Sequence, residues 1–439
     1  MRKLCVGILV LISVGRLSAA QHSHDLDRPR VYEGPPLSLQ AALQEASEKN
    51  PALIALRRQF DSTRFKPAQQ RFLSPPMLET EIWQWPTNTL NPANANMYMF
   101  MATQDLPGRG KRALRASAAE SESRVAEADI AVRAQQILND VKQQYIELFL
   151  ARRAVDVHLA SAGALRQIAD ISQAKYAAGR SSQPDVLKSV VELSRLHDDL
   201  IGMDLQADLA AARLNTLLDR APEAPIGPLT EPRERMLTAS VADLQRLAVE
   251  QQPELARIRV DIERMQADLA VTRQDDKPDY SVQAGYMLAP NMPNAWLAKF
   301  GVTWPRAPWS RGAVDARVGE ANARIEAAKA QLRVMESAVR LSVQDAYIRV
   351  KAAEQRVGLL RTTVLPQSRQ MLEVSRIAYQ GDRLDSLGVV DSERGLLAAE
   401  LDLSRSLSDL ERAIADLELA VGTELPATML AAVASEVSR

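Results

Sequence analysis

The sequence predicts a mainly α protein with a membrane β-barrel: long coiled-coil helical hairpins, interrupted by four short strands, arranged as two copies of one unit. Three observations carry this reading. The chain matches itself at an offset of 202 residues. Its apolar residues fall in heptads along helices too long for a globular core. Four further segments alternate between two side-chain faces over the length of a membrane strand. Composition agrees. Of 439 residues only 18 are Gly and 6 are Phe, while Ala, Leu, Arg, Glu and Gln crowd the chain, as in long helices. A net charge of −1 implies no bulk attraction to nucleic acid.

In chain order, the first element is an export signal expected over residues 1–20, followed by a polar tail over 21–36. Arg2 and Lys3 precede an apolar run from Leu4 to Val14, and Ser18-Ala19-Ala20 supplies small residues for cleavage before Gln21. The single cysteine, Cys5, lies inside this run, too early for lipid attachment, so the mature chain is expected to lack thiol and disulfide chemistry. No later run of 18 apolar residues follows, and any membrane contact is therefore expected from strands.

The two copies are expected over 37–218 and 239–422, joined by a Pro-rich connection over 219–238 and followed by a tail over 423–439. Leu39–Gln59 aligns with Val241–Asp261, so that Pro51 meets Pro253, Leu53 meets Leu255 and Arg57 meets Arg259. At the same offset Pro76 meets Pro278. Each of these prolines opens an alternating pair of strands, expected at about 77–87 and 96–106 in the first copy and 279–288 and 295–305 in the second. Trp83, Trp85, Tyr280, Tyr286, Trp296 and Trp304 suit the aromatic girdles of a membrane interface.

Beyond the strands lie the long helices. From Val314 to Val364 apolar residues step by four and three, with one stutter from Val339 to Val343. Ala313 to Tyr379 predicts roughly 100 Å of helix with a kink at Pro366, and Ala113 to Tyr176 a similar length. Lys111 and Arg112, just past Pro107-Gly108-Arg109-Gly110, are expected to reach interfacial phosphates. The turns at Ala177–Pro184 and Gln380–Leu387 each close a hairpin, with Gly179 and Gly381 suited to left-handed helix caps.

Four strands leave open edges that lipid does not tolerate, so the barrel must close with strands from other copies of the chain. Chemistry of the enzymatic kind is not expected. Gly108–Lys111 lacks the spacing of a phosphate-binding loop, no nucleophile–base set is visible, and no cofactor is implied. Two weak metal candidates stand out. His22 and His24 head the expected mature chain beside Asp25 and Asp27. Met97, Met99 and Met101 share one strand face, and thioethers suit Cu(I) or Ag(I). The opposite face, Tyr98-Phe100-Ala102, is also apolar, so either face is a candidate for lipid.

In the order and duplication of these features the sequence resembles the TolC-like outer-membrane efflux proteins. The features are the helix starts at Leu39–Pro51 and Val241–Pro253, the exits LPGRGKR and WPRAPWSRG, and the turn YAAGRSSQPDVL. The two exits are similar to those of the branch that exports heavy-metal cations. The resemblance implies a homotrimer with a 12-stranded barrel in the outer membrane and a helical tunnel through the periplasm, with 221–235 in a belt at its waist. It implies a passive exit duct whose partners are a periplasmic membrane-fusion adaptor and an inner-membrane pump of the resistance-nodulation-division type. Gly179, Arg180, Ser181, Ser182, Gly381, Asp382, Arg383 and Leu384 would be exposed adaptor-docking tips. Arg166, Asp170, Arg369, Glu373 and Arg376 would form a charged gate above them. Drug efflux or type I protein secretion is the competing cargo class. A soluble periplasmic coiled-coil adaptor is the competing architecture, and a periplasmic hydrolase is disfavoured.

Overall fold

A computed structural model describes residues 29–179, 182–231, 235–290, 292–381, 383–426 and 428–432. The first copy runs α1 (Leu39–Lys49), α2 (Pro51–Thr63), α3 (Lys66–Arg71), β1 (Met77–Trp83), β2 (Met97–Leu106), α4 (Lys111–Ala177) and α5 (Gln183–Leu217). The second runs β3 (Arg235–Leu237), α6 (Val241–Gln251), α7 (Pro253–Gln274), β4 (Asp279–Leu288), β5 (Ala295–Thr303), α8 (Arg311–Leu359), α9 (Leu365–Gln380), α10 (Ser386–Val421) and β6 (Leu430–Ala432). At 67 residues α4 is about 100 Å long. No described helix is long and apolar enough to cross a membrane.

The duplication reappears in the hydrogen bonds. Ser38 and Ser240 cap α1 and α6 through their hydroxyls. Asn50 accepts from the amide of Ala52 and donates to the Leu217 carbonyl at 2.9 Å. Its counterpart Gln252 accepts from Glu254 and donates to the Leu419 carbonyl at 3.3 Å. Arg57 donates to the Ser47 carbonyl and Arg259 to that of Val249. The residues repeat in sequence because the same helix junction is built twice, each with Pro at the first helical position, where its missing N–H costs nothing.

Four strands form one antiparallel sheet in the order β1-β2-β4-β5, with the two copies meeting at β2 and β4. Within the chain the sheet is open, not a closed barrel, and β1 and β5 are its edges. β1 is shorter than expected: it stops at Trp83, because Gln84 takes a left-handed conformation (φ 54°) and breaks the ladder, so Trp85 stands outside the strand.

The expected kink at Pro366 takes a different form. A π-helical turn over Leu360–Val364 precedes the proline, which sits in the first turn of α9. The wider turn absorbs the proline ring and its missing N–H, and the helix continues. Val339 and Val343, the stutter positions, are both buried in the packing of α8 against α6 and α10.

The chain connections are packed against the long helices. Tyr145 of α4 is fully buried, and its hydroxyl lies 2.9 Å from the Leu37 carbonyl and 2.8 Å from that of Thr230. Burial pushes its pKa up to about 12. Arg152 donates to the carbonyls of Ile226 and Gly227 and stacks 3.8 Å above the Tyr32 ring. The segment after 423, expected as a tail, buries Leu425 and pairs as β6 with β3. Residues 29–36, also expected as tail, are held by Arg30 on Asp204 at 2.5 Å. The β3–β6 pairing satisfies backbone groups that a free tail would leave to water.

Candidate functional site

The two faces of the sheet differ in chemistry, and the strand register separates them. One face carries Leu78 and Ile82 of β1, Tyr98, Phe100 and Leu106 of β2, Tyr280, Val282 and Tyr286 of β4, and Trp296, Phe300 and Val302 of β5. It is predominantly apolar, broken only by Thr80 and Gln104, and open: Trp296 is 83% exposed and Phe300 78%. The other face is mixed: it carries Glu79, Glu81, Thr103, Asp105, Ser281, Gln283 and Lys299 among Met97, Met99, Met101 and Met287, with Met77, Trp83 and Leu297 towards the outer strands. Met97, Met99 and Met101 are half-buried. Met99 stands between Glu81 and Met287, and Met101 between Glu79 and Gly285. The methionines therefore belong to the polar side of the sheet.

At the strand-to-helix junction the sequence expectation for Lys111 fails. Its side chain is 2% exposed and donates to Asp279 at the start of β4, at 2.9 Å. Asp279 also accepts the Gly108 N–H at 2.7 Å. Gly108 is required there, since a Cβ would fall 2.4 Å from the Pro278 carbonyl oxygen, and Gly110 caps α4 with φ 89°. The lysine's charge, unfavourable at a helix N-terminus, is neutralised by a carboxylate 168 residues away in sequence. Arg112 donates to the Arg71 carbonyl. Lys111 is therefore not available to phosphates, whereas Arg112 remains exposed.

At the far end of the helices lie the hairpin tips. Gly179 takes φ +69° and its N–H closes on the Tyr176 carbonyl. Ser182 begins α5, donating from its N–H and hydroxyl to Asp185. Gly381 differs from expectation: its φ is −82°, a region open to any residue. The second turn closes instead through the Arg383 N–H on the Ala378 carbonyl at 2.8 Å, with Asp385 capping α10. Leu384 also differs. It is half-buried against the cluster of Leu372, Tyr379, Val389 and Val390 and covers Gly388, because a leucine in a turn over an apolar helix pair gains more by folding inward. Gly179, Ser182, Gly381 and Arg383 are exposed. Arg180, Ser181 and Asp382 lie outside the described residues, as do His22 and His24.

The five gate candidates are not gathered into one cluster. Arg369 pairs with Glu400 and Arg376 with Glu393, both at 3.3 Å, fastening α9 to α10. Glu373 and Asp170 are exposed. Arg166 faces His197, whose pKa is lowered by burial and by that guanidinium. Among the described residues no group of three or more His, Cys, Asp or Glu is arranged to hold a metal ion.

No protein-family model matches the chain. The cobalt-zinc-cadmium resistance protein CzcC of Cupriavidus metallidurans is 25% identical over 371 residues, covering 83% of this chain and 85% of the relative. Among solved structures, CusC superposes with a TM-score of 0.73 at 15% identity, over 88% of this chain and 92% of CusC. The outer-membrane channel OprN gives 0.69 at 19% identity, over 88% and 89%. VceC of Vibrio cholerae gives 0.69 at 18%, over 88% and 96%. The chain has the TolC-like outer-membrane channel fold.

Within this channel fold the structure adds residues that sequence reasoning missed. The two hairpins are bolted to each other near their tips. Lys175 donates to the Tyr379 carbonyl at 2.7 Å and lies 3.9 Å over its ring. The Ser172 and Tyr379 hydroxyls meet at 3.0 Å. Higher up, Arg394 of α10 grips the carboxylate of Glu192 on α5 with two nitrogens. Those hydrogen bonds hold Glu192 below the usual carboxylate range. Glu393 beside it is 5% exposed, and burial raises its pKa against the opposing pull of Arg376 and Ser161. No local signal marked this pair: α5 and α10 begin at Gln183 and Ser386, 203 residues apart, so Glu192 and Arg394, 202 apart, are not equivalent positions of the two copies.

Proposed function

We propose that this protein is the outer-membrane exit duct of a tripartite efflux pump, passing substrates, heavy-metal cations among them, without chemical change. One observation carries the reading: a four-stranded sheet with one predominantly apolar, exposed face and two open edges stands at the end of paired helices about 100 Å long. An apolar face of this kind needs lipid, and open edges in lipid need partners. Three copies give twelve strands, each β5 edge meeting the β1 edge of the next. The helices favour the same assembly. Leu187, Val191, Ile201 and Leu205 on α5, and Val334, Leu341 and Ile348 on α8, are exposed apolar residues at heptad spacing, suited to neighbouring protomers.

In this account residues 1–20 are a cleaved export signal, and the protein spans from the outer membrane into the periplasm. Gly179, Arg180, Ser181, Ser182, Gly381, Asp382 and Arg383 meet a membrane-fusion adaptor coupled to an inner-membrane pump of the resistance-nodulation-division type. Arg166, Asp170, Arg369, Glu373 and Arg376, with the Lys175–Tyr379 and Glu192–Arg394 bolts, hold the tunnel closed at rest. The similarity to a protein named for cobalt, zinc and cadmium resistance supports metal cargo over drugs or secreted proteins. Deleting the gene and scoring growth on copper, silver, zinc and cobalt against a drug panel tests this. Sensitivity confined to metals is expected. Sensitivity confined to drugs, with the pump intact, overturns the metal assignment.

A further inference from the structure

We propose that the polar wall of the sheet binds a soft monovalent metal cation, Cu(I) or Ag(I), through the thioethers of Met97, Met99, Met101 and Met287 with Glu79 and Glu81 beside them. The inference rests on the duct reading, which turns the apolar face to lipid and this face to the water-filled lumen.

The register gathers the ligands. Met99 is flanked across the strands by Glu81 on one side and Met287 on the other, and Met101 by Glu79. Neighbouring strands lie about 4.8 Å apart and same-face neighbours along β2 about 7 Å. Flexible methionine side chains span such gaps, so adjacent thioethers can converge on one ion. Gly285 opens the space: a Cβ there would fall 3.0 Å from Met101 Cγ and 2.9 Å from the Phe100 carbonyl oxygen. The Met101 side chain thus lies over a residue with no side chain of its own.

Lipid contact does not account for these methionines. The lipid-facing requirement is already met by the opposite face, from Leu78 through Phe100 and Tyr286 to Phe300. On the polar face, among Glu79, Glu81, Gln283 and Lys299, an apolar side chain gains no lipid contact. What four thioethers add there is a soft ligand set, which selects d¹⁰ monovalent ions over the borderline divalent Zn(II) and Co(II). The two carboxylates supply negative charge that draws a cation to the wall and weakly balances it. Successive thioethers along β2, each a weak ligand, form a row along which an ion can be handed on.

The test uses the purified full-length protein in detergent, with silver nitrate as probe because Ag(I) needs no reductant. Equilibrium dialysis should give about one tightly held Ag(I) per protomer. Replacing Met97, Met99, Met101 and Met287 together with leucine, a swap of similar volume, should weaken binding about ten-fold or more. Met371→Leu on α9 should leave it unchanged. Zn(II) should compete poorly. X-ray absorption of the silver-loaded wild-type protein should show sulfur neighbours, a readout independent of how the quadruple variant folds. Sulfur absent from that spectrum, or full Ag(I) retention by a correctly assembled quadruple variant, overturns the site. Assembled trimers that bind no Ag(I) would sink the site alone, whereas a protein that never reaches the membrane would sink the duct reading beneath it.

Discussion

Replacing Asp279 with asparagine should unfasten the four-stranded sheet from α4. In the native junction Lys111 is 2% exposed and donates to Asp279 at 2.9 Å, with Asp275 a more distant partner at 3.9 Å. The carboxamide oxygen of the Asp279→Asn variant could still accept the Gly108 N–H, so the turn survives, but the buried ammonium loses its neutralising charge. Removing one partner of a buried pair costs about 3–5 kcal/mol. Asp275 remains and the Asp279 side chain is 38% exposed, which places the cost at the low end, about 3 kcal/mol, or roughly 150-fold in the folding equilibrium. Lys111→Met should cost less, about 1–2 kcal/mol, since it leaves only a partly solvated carboxylate that still holds an amide. The double variant should recover part of the loss, because no uncompensated charge stays buried. Denaturant unfolding of the detergent-solubilised protein, followed by far-UV circular dichroism, measures all three. Asp279→Asn within about 0.5 kcal/mol of wild type, or strictly additive single effects, would refute the clamp.

Four further outcomes are expected. Gly179→Ala should destabilise its turn by about 1–2 kcal/mol, since φ is +69°, whereas Gly381→Ala should be neutral; hydrogen exchange of the tip amides reads both. Tyr379→Phe strands the buried Ser172 hydroxyl, should cost about 1–3 kcal/mol, and should raise resting conductance in planar bilayers. Acid should loosen the hairpins through Glu192: its native pKa lies below its unfolded value, so its contribution is complete above the unfolded value and is lost as pH falls through the native one. Glu192→Gln should therefore abolish the acid-induced rise in exchange along α5, and an unchanged acid profile would exclude this residue as its source. Glu393 has the opposite sign, because its raised pKa makes the native state the stronger proton binder, so its contribution is complete below the unfolded value and is lost as pH rises through the higher native one; Glu393→Gln should flatten that segment of the stability profile.

The repeat, the heptads and the strand pairs were legible because each is a local pattern repeated many times along the chain. Pairing across the chain was not. Lys111 reads as a surface cation until Asp279 is placed against it. Leu384 reads as an exposed tip residue until α9 and α10 close beneath it. The more apolar face of β2 was undecidable from the strand itself, because Met97, Met99 and Met101 on one side are as apolar as Tyr98 and Phe100 on the other. The neighbours distinguish them: Glu79 and Glu81 from β1 and Gln283 from β4 stand on one side, Leu78, Ile82 and Tyr286 on the other. Pro366 announced a disturbance in the helix, but whether it takes the form of a kink or of a π-turn depends on packing that the sequence pattern does not contain.

The central claim, that these strands close between copies of the chain in the outer membrane, is tested most directly by fractionating cells and cross-linking the native protein in place. The account predicts trimers in the outer-membrane fraction, released only by detergent. A monomer recovered in the soluble periplasmic fraction would contradict it.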